Sequence, residues 1–119
     1  MKFARGRTTR RVAGQMNGLE TRYSQVLESQ KLSGQIVEWW YECFTFKLAH
    51  DTRYTPDFVV MLPNGILEAH ECKGFFEDHA KVKVKVAASK FPFVFRIVRA
   101  KAKKEGGGWD IQQIGAKDE

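Results

Sequence analysis

The chain has 119 residues, 43% of them hydrophobic and 29% charged, and its 20 basic against 14 acidic side chains give a net charge of +6. That length supports one small domain with a core of its own, and not two. No apolar run is long enough to span a bilayer and no signal-peptide core is present, so a soluble, cytoplasmic protein is expected. Cys43 and Cys72 lack metal-ligand spacing, which argues for reduced thiols and against a zinc site.

Residues 1–16 are basic, contain glycine and show no periodicity, so a flexible N-terminal arm is expected there, followed by a single folded domain over 17–119. Asn17 then reads as a helix N-cap with Glu20 three residues on, a capping box. Leu19, Tyr23, Val26 and Leu27 recur at helical spacing, which predicts a helix over about Gly18 to Leu32, stopped by Ser33-Gly34. Gln35 to Leu48 is rich in Val, Trp, Tyr, Phe and Thr and predicts one long strand. Its apolar phase changes from Val37, Trp39, Tyr41 and Cys43 to Phe44, Phe46 and Leu48, as a bulge or a bend near Cys43-Phe44 would produce. Adjacent Trp39 and Trp40 cannot both face one core. Glu42 reads as a carboxylate paired with a cation, and Ala49 to Arg53 as a polar loop.

A hairpin follows. Pro56 suits a strand start because it lacks an N–H, which places Asp57 at the mouth of the sheet. Phe58 to Leu62 is the first strand, Pro63-Asn64-Gly65 is the turn, and Ile66 to Lys73 is the second strand, broken by Gly74. Alternation puts Leu67, Ala69, Glu71 and Lys73 on one face and Glu68, His70 and Cys72 on the other. The stretch Lys81 to Val86 alternates like a strand, yet Phe76, Ala80, Val84, Ala87 and Phe91 recur at helical spacing. A helix over about Glu77 to Lys90 is therefore expected, ended by Pro92. Phe93 to Val98 predicts an interior strand, Lys101 to Gly108 a basic glycine-rich loop, and Trp109 to Ile114 a final strand. The predicted class is α/β, with a mixed β-sheet flanked by helices.

Charge is unevenly spread. Residues 1–19 carry Lys2, Arg5, Arg7, Arg10 and Arg11 with no acid, and residues 79–104 carry nine basic side chains with none. Between them, residues 20–78 hold ten acids and five bases. Basic flanks around an acidic centre suit a polyanion held against a cation-binding site, with Arg5, Arg7, Arg10, Arg11, Lys81, Lys85, Lys101, Lys103 and Lys104 as candidate DNA-binding residues. Asp57 and Glu71 on paired strands offer hard oxygens for Mg²⁺, for which Mn²⁺ can substitute, and Lys73 could orient a water or stabilise charge on a phosphate. Taken alone, Glu-x-Lys on a strand is usually a solvated charge pair of small energetic consequence. The hairpin that brings Asp57 beside Glu71 shifts that balance.

Pro56-Asp57 followed by Glu71-Cys72-Lys73 resembles the motif of the PD-(D/E)XK nuclease superfamily, and the wording around Tyr54-Thr-Pro-Asp-Phe58 and Leu62-Pro-Asn-Gly-Ile66 is similar to the phage endonuclease I family of Holliday-junction resolvases. The resemblance covers about Tyr41 to Arg99, with a longer interval between Asp57 and Glu71. It implies a restriction-endonuclease-like core in the order α-β-β-β-α-β and a metal-dependent endodeoxyribonuclease in a host cell's cytoplasm. It also implies Glu20, Asp57, Glu71 and Lys73 as catalytic residues, Glu20 serving as a third metal ligand beyond its role as a helix cap. An intertwined homodimer acting on branched DNA completes that picture. The alternatives are a nicking or restriction-like nuclease on duplex or flap DNA, a non-catalytic basic DNA-binding protein, or a single-strand binder that stacks bases on Trp39 or Trp40.

Overall fold

A computed structural model describes residues 14–74 and 79–115. Helix α1 spans Gly18–Leu32 and opens on the expected capping box: the Glu20 N–H donates to Asn17 Oδ1 at 2.8 Å and the Asn17 N–H to Glu20 Oε1 at 3.0 Å. Glu20, Tyr23 and Leu27 form its buried face. Strands β1 (Glu38–Tyr41), β4 (Phe58–Met61), β5 (Leu67–Cys72), β6 (Val94–Ala100) and β7 (Trp109–Ile114) form one sheet in that order. Only β5 and β6 run parallel, joined by α2 (His79–Lys90) as the crossover. The β4–β5 turn closes with Gly65 N–H donating to Leu62 O at 2.9 Å, and Gly65 takes the φ of 89° that favours glycine.

The segment from Gln35 to Leu48 differs from the expected single strand. It forms two strands in two sheets: β1 ends at Tyr41, and β2 (Phe46–Ala49) pairs with β3 (Thr52–Tyr54) in a separate hairpin. Ala49 to Arg53, expected as a loop, is therefore the tip and one arm of this hairpin. The change of apolar phase marks a change of layer. Trp39 and Tyr41 pack with Tyr23, Leu27, Phe58, Val60, Cys72 and Val98 on the α1 side of the sheet. Phe44, Phe46 and Leu48 pack with Tyr54, Ala69, Val84, Phe95 and Ile97 on the α2 side. The reversal falls at Glu42, whose φ is 49°, and its N–H donates to Asp57 O at 2.9 Å. The register irregularity lies further on, between Lys47 and Ala49.

Helix α2 resolves the ambiguous alternation in favour of the helical reading: Val84 and Ala87 are wholly buried while Val82 is exposed. Strand β6 is interior, as expected. The sheet thus has α1 on one face and α2 with the β2–β3 hairpin on the other. Among the described residues no helix is long and apolar enough to cross a membrane.

Candidate active site

Antiparallel pairing of β4 with β5 brings the start of the first beside the end of the second. Phe58 pairs with His70, so Asp57 falls opposite Glu71 one step further along the same register. The β5–β6 parallel pair ends at this edge too, and the first turn of α1 crosses it. Four sequence-predicted residues, Glu20, Asp57, Glu71 and Lys73, therefore gather at one end of the sheet.

Each acid is held by the chain. Asp57 is 2% exposed, and its Oδ2 accepts the Cys72 N–H at 2.9 Å. Glu20 is equally buried and, besides capping α1, accepts the Tyr41 hydroxyl at 2.9 Å. Glu71 is half-buried and accepts the Tyr54 hydroxyl at 2.9 Å. Lys73 is buried, and its N–H donates to Val98 O at 2.9 Å. It lines a cavity of about 220 Å³ with Leu19, Gly74, Arg99 and Ala100.

Crowding shows in the electrostatics. Burial, then the charges of Glu71 and Glu20, push the Asp57 carboxyl up to about 8, against the lowering effect of the Cys72 N–H; a hydrogen bond with Glu20 adds to the rise. Burial first, and then the charges of Asp57, Glu20 and Glu71, also raise the Cys72 thiol. The Tyr54 phenol is raised by burial and by Glu71. Burial and neighbouring carboxylates thus disfavour the charged form of Asp57, and hard oxygens grouped in this way match the chemistry of a divalent cation. Besides the hydrogen bond between Asp57 and Glu20, these acids bond to Cys72, Tyr41, Tyr54 and Asn17. Among the described residues no three His, Cys, Asp or Glu side chains converge as a ligating group.

Tyr41 and Tyr54 orient two of the acids, and sequence reasoning gave neither a role. Tyr54 adjoins the Thr-Pro-Asp stretch, but only the hairpin pairing reveals that its hydroxyl reaches Glu71. His70 lies on the opposite face from Glu71, as alternation predicted. It is fully enclosed, with Nδ1 at 2.7 Å from the Tyr23 hydroxyl and Nε2 at 2.8 Å from Glu68 Oε1. Arg96 closes this network through two bonds of 3.0 Å to Glu68. Glu42 accepts the Gly14 N–H at 3.0 Å.

Of the candidate DNA-binding residues, Arg5, Arg7, Arg10 and Arg11 lie outside the described residues. At the end of the segment read as a flexible arm, Gln15 O accepts a bond from the Tyr41 hydroxyl and Met16 packs on the α1 core. Lys81 and Lys85 stand one turn apart on α2 and line a groove of about 380 Å³ with Ser89, Gln112, Gln113 and Gly115. Lys101, Lys103 and Lys104 are exposed where the chain leaves β6, at the same end of the sheet as Glu71. Trp39 packs on the α1 core with its Nε1 on Glu28, and Trp40 is 37% exposed.

No curated protein and no solved structure matches the chain. The family match is extensive, running over residues 1–107 and so across both strands of the Asp57–Glu71 hairpin and the first turn of α1. The chain belongs to the phage endonuclease I family.

Proposed function

We propose that the protein is a divalent-metal-dependent endodeoxyribonuclease of PD-(D/E)XK type that resolves four-way DNA junctions as a homodimer. The observation that carries this reading is the gathering of Glu20, Asp57 and Glu71 near Lys73 at one end of the sheet, where burial and the charges of Glu71 and Glu20 favour the protonated form of Asp57. A protein that only binds DNA gains nothing from burying acids where phosphate would sit. The order of elements in the main sheet, α1-β1-β4-β5-α2-β6 with β7 added, supports the superfamily relation.

In this mechanism Asp57 and Glu71 would hold Mg²⁺ or Mn²⁺, with Glu20 as a third acid, and the bound ion supplies Lewis acidity and a water of lowered pKa. Asp57 would have to be ionised to serve as a ligand. Tyr41 and Tyr54 fix the rotamers of Glu20 and Glu71, so the acids are oriented before substrate arrives. Lys73, just past the end of the strand that carries Glu71, would position the attacking water or meet the charge developing on the phosphate. The basic α2 face and the Lys101 to Lys104 loop take the flanking phosphates.

Incubation with junction, flap, duplex and single-stranded DNA, in Mg²⁺ or in EDTA, tests the reading. Paired incision of the junction in Mg²⁺ alone is expected. Equal cutting of duplex or flap would favour the nicking alternative, and tight binding without cleavage would favour the non-catalytic one.

A further inference from the structure

We propose that the cavity at the carboxyl ends of β5 and β6 is a seat for a backbone phosphate beside the carboxylate cluster, with Arg99 as its clamp. The proposal rests on the nuclease reading above and adds to it a residue and a ligand contact.

Cys72 pairs with Val98 in the parallel register, so Lys73 and Arg99 follow side by side where the two strands end. Both line the cavity of about 220 Å³, with Leu19 from the first turn of α1 as an apolar wall. Gly74 and Ala100 complete the lining and put almost no side chain into it. Ligands of open α/β sheets collect at this kind of crevice, beyond the carboxyl ends of parallel strands. Asp110 stands across the β6–β7 pair from Arg99, yet no ion pair joins the two among the described residues. The Arg99 guanidinium is thus not spent on its strand neighbour, and Arg99 is part of the cavity lining. The planar fork of Arg grips two oxygens of a phosphate where an ammonium offers one point of charge. Glu71 lies two residues before Lys73, so a phosphate seated here is next to the acids that would hold the metal. Arg99 acts on the substrate by binding it. No proton transfer is assigned to it.

The test compares wild type with R99A, R99Q and R99K, measuring junction cleavage in Mg²⁺ and junction binding in EDTA as salt is varied. R99A and R99Q are expected to lower kcat/KM by about 10- to 100-fold and to reduce the slope of log K against log salt by about one. R99K is expected to restore the slope and only part of the rate. Added inorganic phosphate should inhibit wild type more than R99A if the seat also takes the free ion, while a seat specific to the backbone leaves both unaffected. Either result keeps the seat. An active wild type alongside an R99A of equal rate and equal slope overturns the clamp and leaves the nuclease reading standing. A wild type that cuts no DNA overturns the nuclease reading, and the salt slope of R99A then decides the phosphate seat alone.

Discussion

The Asp57 carboxylate accepts the Cys72 backbone N–H at 2.9 Å, which fastens the entrance of β4 to the exit of β5 across the hairpin. That bond holds the acid in place and needs only an acceptor oxygen. Asp57→Asn keeps the acceptor and removes the charge. Cleavage is expected to fall by at least about 100-fold, with junction binding changed by less than about threefold because binding belongs to the basic segments. Parallel loss of binding and cleavage in a folded variant would contradict this division of labour.

Tyr54 donates to Glu71 from a different sheet, so the β2–β3 hairpin helps to orient the candidate ligand. Tyr54→Phe removes the hydroxyl and little volume. It should cost about 1 kcal/mol of stability and lower kcat several-fold, with the salt slope of binding unchanged. A rate equal to wild type would show that Glu71 keeps its orientation without Tyr54.

Much of this was legible in the sequence, and the failures have physical causes. Local chemistry carried α1, the Asn64-Gly65 turn and the β7 strand, since caps, turns and short apolar runs depend on near neighbours. The alignment of Asp57 with Glu71 followed from hairpin register. The split of residues 35–48 did not follow, because a bulge and a passage between layers produce the same reversal of apolar phase. Only the partners of Tyr41 and Phe46, on opposite sides of the sheet, distinguish the two. The Tyr54–Glu71 and Tyr23–His70 bonds span 17 and 47 residues, a separation that pattern reading does not reach.

Glu68 illustrates a structural role for an acid three residues before a candidate catalytic one. Its burial favours the neutral form, but hydrogen bonds from His70 and Arg96 outweigh it and draw the carboxyl down to about 2. Glu68→Gln is expected to destabilise the fold by about 1–3 kcal/mol, seen as a lower urea midpoint, because it leaves Arg96 and His70 poorly paired. The cleavage rate of the folded fraction should stay within about threefold of wild type. A collapse of activity at full stability would move this network into the active site.

The homodimer has to be argued without the long aromatic strand expected from sequence, since that segment divides. The remaining support is that, among the described residues, β1 and β7 form the two edges of the main sheet, with exposed Trp40 on one and exposed Ile111 on the other. An open edge bearing apolar side chains is a surface suited to a second copy. Light scattering at micromolar concentration is expected to give twice the 13.7 kDa chain mass, free and on a four-way junction. A strictly monomeric mass in both states would remove paired incision.

The carboxylate cluster also predicts how stability depends on pH. Asp57 has a folded-state value of about 8, far above an ordinary carboxyl, so the folded chain binds this proton more tightly than the unfolded one. Its contribution is complete below about pH 4 and is lost as pH rises through about 8, on the order of a few kcal/mol. Glu68 works in the opposite sense, contributing above its unfolded value and losing that contribution as pH falls through about 2. The groups that act on Asp57 include Glu20, Glu71, Cys72 and Tyr54. Cys72 and Tyr54 are both raised by burial and neighbouring acids, so they stay neutral over this window and add no slope of their own. Metal-free protein should therefore lose stability between pH 5 and pH 8, measured as the urea midpoint in EDTA. Mg²⁺ should recover most of the loss at pH 8, where the cation replaces the proton, and little at pH 5. Asp57→Asn should flatten the metal-free profile and abolish the Mg²⁺ effect. A metal-free stability that stays level or rises from pH 5 to pH 8 would show that Asp57 ionises normally, against the crowding of acids on which the metal site is argued.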